Sequence, residues 1–254
     1  KNMSVEIWIG ICIPFLGTLL GAGTVYFMKK EVGSRTRKIL LGFAAGVMLS
    51  ASMWSLLSPS VEIASEQGVP EWLPATVGFV IGTVFMIFAD KFFNEKQAEK
   101  KGLNTGLLFF SVTVHNIPEG MAVGAVFAGM MSAGADISFA SALTLALGIA
   151  LQNMPEGAIV SMPIRSAGAS RTKCFVYGVL SGVVEPLSAL FTILFYSLVN
   201  PVLPYLLSFA AGAMIYVVAR ELIPDEYEEG TGESGIIALA CGFVVMMIMD
   251  IVFG

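Results

Sequence analysis

Apolar residues recur along this chain in blocks of roughly 20 or more, the length a helix needs to cross a hydrocarbon layer about 30 Å thick. Few features restrict a fold so tightly. In lipid every backbone N–H and C=O must find its partner inside the protein, and a helix meets that demand within one segment. Composition agrees: 56% of the 254 residues are hydrophobic and 13% are charged, against about 25% charged in a typical soluble domain. The expected fold is an all-α integral membrane protein, a bundle of eight transmembrane helices forming a single domain over residues 1–254. The spans fall near 5–28, 37–58, 72–92, 104–130, 138–163, 172–199, 201–222 and 234–253. The tightest reversal lies at "VNPVLP" (199–204), where Pro201 and Pro204 resist helix continuation.

Loop charge sets the orientation. "KKEVGSRTRK" (29–38), "DKFFNEKQAEKKG" (90–102), residues 165–173 and Arg220 hold every Lys and Arg except Lys1. Such loops face the cytoplasm, so both termini are expected outside it. The stretch "SPSVEIASEQGVPEW" (58–72), read as an outer loop, has glutamates and no base. The three cysteines (Cys12, Cys174, Cys241) fall in or beside spans, without metal-site spacing, and read as small packing residues. Glycine clusters within spans, as in "GTLLGAG" (17–23) and "GFAAGVM" (42–48), where small residues let membrane helices approach closely.

Against this background "HNIPEG" (115–120) stands out, and "QNMPEG" (152–157) repeats it on the next span. Consecutive spans cross in opposite directions. Two interrupted helices so related are one way to build a binding site near the bilayer midplane. Each proline removes a helix hydrogen bond, freeing the carbonyls of Val114 and Leu151, and free backbone in lipid must line a cavity or be buried in protein. An ionisable side chain at a helix centre costs about 2.5–3.5 kcal/mol on insertion scales and marks a functional site by default. Three such residues, Glu119, Glu156 and Glu185, occupy consecutive spans with no Lys or Arg at matching depth. They must be protonated or share a cation. His115 with Glu119, and Gln152 with Glu156, are four residues apart and share a helix face; Asn116 and Asn153 lie three before each glutamate. One imidazole with carboxylate and amide groups suits Zn²⁺ or another divalent transition metal better than K⁺ or Na⁺.

The paired motifs on the fourth and fifth of eight spans, with "VVEPLSAL" (183–190) on the sixth, resemble the ZIP family of divalent-metal transporters, and most closely its bacterial GufA-like branch. The resemblance implies a binuclear centre. The first metal would be held by His115, Glu119, Gln152 and Glu156, joined by a thioether at Met48, with Met53 as the rival position. The second would use Asn116, Asn153 and Glu185, with Glu119 and Glu156 bridging. Bacterial relatives can carry an aspartate where Asn153 stands, so the second site is expected to be the weaker. Glu62 and Asp250, near the outer surface, are candidates for an entrance, and Asp90 and Glu221, near the inner surface, for an exit.

The function expected is movement of Zn²⁺, with Cd²⁺, Fe²⁺ and Mn²⁺ as alternatives, into the cytosol by alternating access in a cell membrane. The metal is then substrate, with no catalytic cofactor. The expected partners are the metal, the lipid bilayer and a second copy in a homodimer, and no nucleic acid. The homodimer is what the resemblance implies, as is the movement of one helix group, including spans four and five, against the rest. Two other readings compete. An intramembrane metal-dependent hydrolase would use Glu119 or Glu156 as base, but catalytic zinc commonly takes several histidines and the chain has one. A carboxylate-lined cation channel is the other.

Overall fold

The computed structural model describes residues 4–28, 34–95, 105–131, 138–166, 168–223 and 232–253; the described side chains do not include those of His115, Gln152 and Glu221. Helix α1 (Val5–Gly23) ends in a 3-10 turn, and α2 (Ser34–Ala51) passes through a π turn (Ser52–Leu57) into α3 (Ser58–Glu66). There follow α4 (Trp72–Glu95), α5 (Thr105–Met131), α6 (Phe139–Ser166), α7 (Arg171–Gly182), α8 (Val184–Leu194), the short α9 (Tyr196–Val199), α10 (Leu203–Val217) with a second π turn (Val218–Leu222), and α11 (Gly232–Phe253). No strand occurs among the described residues.

Seven helical runs among the described residues are long and apolar enough to cross a membrane. They match the expected spans except the fourth. That segment, α5, is a 27-residue helix, but HNIPEG puts His, Asn and Glu in its middle. The chain is therefore an all-α membrane protein, and the long helix that carries the first motif has its apolar run broken by that motif.

Three local expectations are corrected. Residues 58–66, read as loop, are helical. Pro59 stands at the first turn of α3, where its missing N–H is not needed; the chain accommodates it by widening, so that Ser58 N–H reaches back five residues to Met53 O. The sixth span stops at Leu194 rather than 199, because Phe195 leaves helical backbone (φ −119°, ψ 32°) and the reversal begins there. Neither PEG motif interrupts its helix: α5 and α6 run unbroken through Pro118 and Pro155. A single proline deletes one hydrogen bond, and the bonds on either side hold the helix together.

Packing divides the bundle into two groups. The closest helix pairs are α1 with α6 and α5 with α8 in one group, and α2 with α11 and α4 with α10 in the other. Each pair is joined through glycine. A Cβ added at Gly17 would overlap the carbonyl oxygen of Ala150 on α6. One at Gly46 would overlap that of Leu239 on α11, one at Gly82 that of Phe209 on α10, and one at Gly120 that of Glu185 on α8. These approaches all lie within a group. The seam between groups instead holds two cavities. The larger, about 400 Å³, is walled by Trp54, Ser58 and Leu207 on one side and by Ala122, Leu145 and Ile149 on the other. The smaller, about 180 Å³, lies between Leu41, Phe43 and Ala44 of α2 and Pro155, Ala158, Ile159 and Met162 of α6.

Candidate metal centre

The helices place five polar side chains in the protein interior. Asn116 and Glu119 come from α5, Asn153 and Glu156 from α6, and Glu185 from the start of α8; none is more than 2% exposed. The three-residue spacing in each motif puts amide and carboxylate on adjoining turns of one helix side. No Lys or Arg occurs in α5 or α8, and the one in α6 is Arg165, at its last turn. The central turns of these helices therefore carry acids with no Lys or Arg among them.

Glu185 is the best-defined member. Its Oε1 accepts from the Thr18 hydroxyl at 2.7 Å and from Asn116 Nδ2 at 3.2 Å, and its Oε2 accepts from Asn153 Nδ2 at 2.8 Å. The second hydrogen of each amide goes to backbone: Asn116 Nδ2 donates to Ser181 O at 3.0 Å and Asn153 Nδ2 to Pro14 O at 3.4 Å. The amide oxygens Oδ1 of Asn116 and Asn153 are buried and meet no donor among the described residues. Buried acceptors left this way call for an explanation, and a cation supplies one. Glu156 lies within electrostatic reach of Glu185 and of Asp250.

Glu119 faces the larger cavity, which Glu62 and Asp250 also line. The two entrance candidates and one motif glutamate thus share a single space. Asp250 Oδ1 accepts from Ser55 in the π turn at 2.6 Å, and Glu62 from Ser58 at 3.1 Å. Met48 is fully buried, in the same apolar cluster as Val112 of α5 and Ile159 and Val160 of α6, whereas Met53 is half-exposed. Burial favours Met48. Asp90 is not brought to this cluster. It ties α4 to the end of α10, accepting from Tyr216 Oη at 2.8 Å and pairing with Arg220 Nε at 3.2 Å. Glu221 sits in the second π turn, its side chain outside the description, as are those of His115 on α5 and Gln152 on α6. Among the described residues no three His, Cys, Asp or Glu side chains converge closely enough to hold a metal on their own.

Sequence reasoning missed Thr18. It is the only hydroxyl between Val5 and Gly23, in a span with no motif, and that isolation was the one available signal. The pairing of Ser55 with Asp250 was likewise missed, since nothing in the spacing joins positions so far apart.

Comparison with known proteins identifies the family. Residues 94–250 match the ZIP zinc transporter family, a stretch holding both motifs, Glu185 and Asp250. Zinc transporter ZIP11 of Homo sapiens is 35% identical, over 93% of this chain and 94% of its own length. Zinc transporter GufA of Myxococcus xanthus is 33% identical over 94% and 96%, and zinc transporter ZIPB of Bordetella bronchiseptica 34% identical over 96% and 79%. The relatives are transporters, so the hydrolase reading loses its footing. The chain belongs to the ZIP family and is a multi-pass membrane protein of that family.

Proposed function

We propose that this protein carries Zn²⁺ into the cytosol, through a site between α5 and α6 that is exposed alternately to the two sides of a cell membrane. The observation that carries the reading is the larger seam cavity, in which Glu119 is reached from the same space as Glu62 and Asp250. Dehydration of a divalent cation is offset only if oxygen or nitrogen ligands replace its water, and the buried carboxylates and amide oxygens are such replacements. His115, Glu119, Gln152 and Glu156 form the first site with Met48, and Asn116, Asn153 and Glu185 the second, with Glu119 and Glu156 shared. Cd²⁺, Fe²⁺ and Mn²⁺ are secondary substrates.

In this reading α5 is the fourth of eight spans, which accounts for its length, and the basic loops keep both termini outside. The larger cavity then opens outward. The smaller cavity, apolar throughout, marks the closed inner half of the seam. Glycine-joined pairs move as units while the seam slides, a shear between packed bodies. A saturable carrier is favoured over a channel, because, of the buried ligands, Glu119 reaches the open cavity while Asn116, Asn153, Glu156 and Glu185 lie in the protein interior. A homodimer remains the expected assembly, on family resemblance alone.

The test is Zn²⁺ influx into liposomes for wild type, His115→Ala and Glu156→Ala. Saturable influx that collapses in both variants supports a carrier working through this site. Linear, unsaturable flux points to a channel, and no flux above empty liposomes with folded protein refutes transport.

A further inference from the structure

The hydrogen bonds around Glu185 do more than satisfy a buried acid. An asparagine side chain has two N–H donors and one carbonyl oxygen. Asn116 commits one N–H to Glu185 and the other to Ser181 O; Asn153 commits one to Glu185 and the other to Pro14 O. With both hydrogens assigned, neither amide can turn over without losing two bonds, and each Oδ1 is held off the Glu185 oxygen that its own N–H meets; three donors leave the carboxylate about one acceptor position for a cation. The two Oδ1 atoms are the buried amide oxygens that meet no donor. Glu185 is thus the part that orients both amides, and its own position depends on a third donor, the Thr18 hydroxyl, which makes the shortest of the three bonds.

We infer that Thr18 on α1 is a positioning residue for the second metal site: its hydroxyl fixes Glu185, which in turn keeps the carbonyl oxygens of Asn116 and Asn153 turned toward the cation. This rests on the reading of a metal carrier given above. It gives α1 a role in chemistry as well as in packing. Outer partners that orient metal-binding groups typically matter by about 10–100-fold in affinity.

Thr18 also packs. A Cβ at Gly182 would lie 2.7 Å from its Cγ2, so its methyl fills a tight junction between α1 and α7. Two substitutions separate the roles. Thr18→Val keeps the shape and removes the hydroxyl; Thr18→Ser keeps the hydroxyl and removes the methyl. The experiment measures Zn²⁺ stoichiometry and affinity by calorimetry on the full chain in detergent, and KM and Vmax for Zn²⁺ influx in liposomes. Wild type should bind two Zn²⁺. Thr18→Val should weaken the second binding event about tenfold and raise KM with little change in Vmax, and Thr18→Ser should restore wild-type values. The inference is overturned if Thr18→Val matches wild type, if Thr18→Ser is the defective variant, or if wild type binds a single Zn²⁺. A wild type that neither binds nor carries Zn²⁺ refutes the transport reading instead, which keeps the two failures apart.

Discussion

Gly17→Ala is a one-methyl change with a large expected effect. Gly17 is buried where α1 crosses α6. A Cβ there would overlap the carbonyl oxygen of Ala150 and lie 2.7 Å from its carbonyl carbon and 2.9 Å from its Cα, all backbone atoms. No side chain can swing aside, so the helices must separate. Overpacking of this kind costs about 1–3 kcal/mol, and backbone contacts belong at the upper end. Replacing glycine by alanine in a helix returns about 0.5–1 kcal/mol, leaving a net loss of about 2 kcal/mol. Gly23 is the internal control. It ends the same helix with ordinary helical backbone (φ −61°, ψ −23°), and nothing lies within 4 Å of an added Cβ. Gly23→Ala should therefore be neutral or stabilising by up to about 1 kcal/mol. Thermal unfolding of the detergent-solubilised protein reads the difference: Gly17→Ala should lower Tm and Gly23→Ala should not. Influx should also fall in Gly17→Ala below its Tm, because the displaced α6 carries Glu156 and Thr18 is the next residue along α1. Equal Tm values for the two variants would refute the claim that glycine contacts hold the pairs together.

Three further outcomes follow from named contacts. Asp250→Asn removes a charge from the cavity that Glu119 faces and should raise KM for Zn²⁺ by about tenfold at low ionic strength, with a smaller effect in high salt; Glu62→Gln should do the same more weakly, since Glu62 is the more exposed. Met48→Leu keeps volume, at a stability cost below about 1.5 kcal/mol, but removes a soft ligand, so competition assays should show Cd²⁺ losing ground to Zn²⁺, whereas the half-exposed Met53→Leu should change neither. Asp90→Asn breaks the ion pair with Arg220, whose side chain is 54% exposed. Asp90 itself is buried and also holds Tyr216 Oη, so the loss should be about 1–2 kcal/mol and Tm should fall modestly, while near-normal influx would argue against Asp90 as an exit station.

The spans were legible because hydrocarbon imposes its thickness on sequence, and the centre was legible because acids without bases are conspicuous in apolar helices. Residues 58–66 were not. Pro59, Glu62 and Gln67 look like loop to any local reading, and only the widened turn before them lets the helix continue. Thr18 was invisible for a different reason. A single hydroxyl in a glycine-rich span has no periodicity, and its meaning comes from Glu185, 167 positions away. Met48 and its rival Met53 differ plainly only in the folded chain, where the first is buried and the second half-exposed.

The π turn at Ser52–Leu57 also sets a rule for insertions and deletions. A π turn carries one residue more than the α-helix it interrupts, and each residue of an α-helix accounts for about 100° of rotation. Were the same residues wound as unbroken α-helix, everything beyond the turn would be rotated by that angle: Met48, before it, would keep its place, Glu62, after it, would leave the cavity, and Ser55 would lose Asp250. The widened turn absorbs the extra residue instead. Removing one residue between 52 and 57 should therefore restore regular helix and leave Glu62 on its present face, whereas an added residue would have no second slack turn to take it up. This turn is the place in the span where chain length and facing are uncoupled.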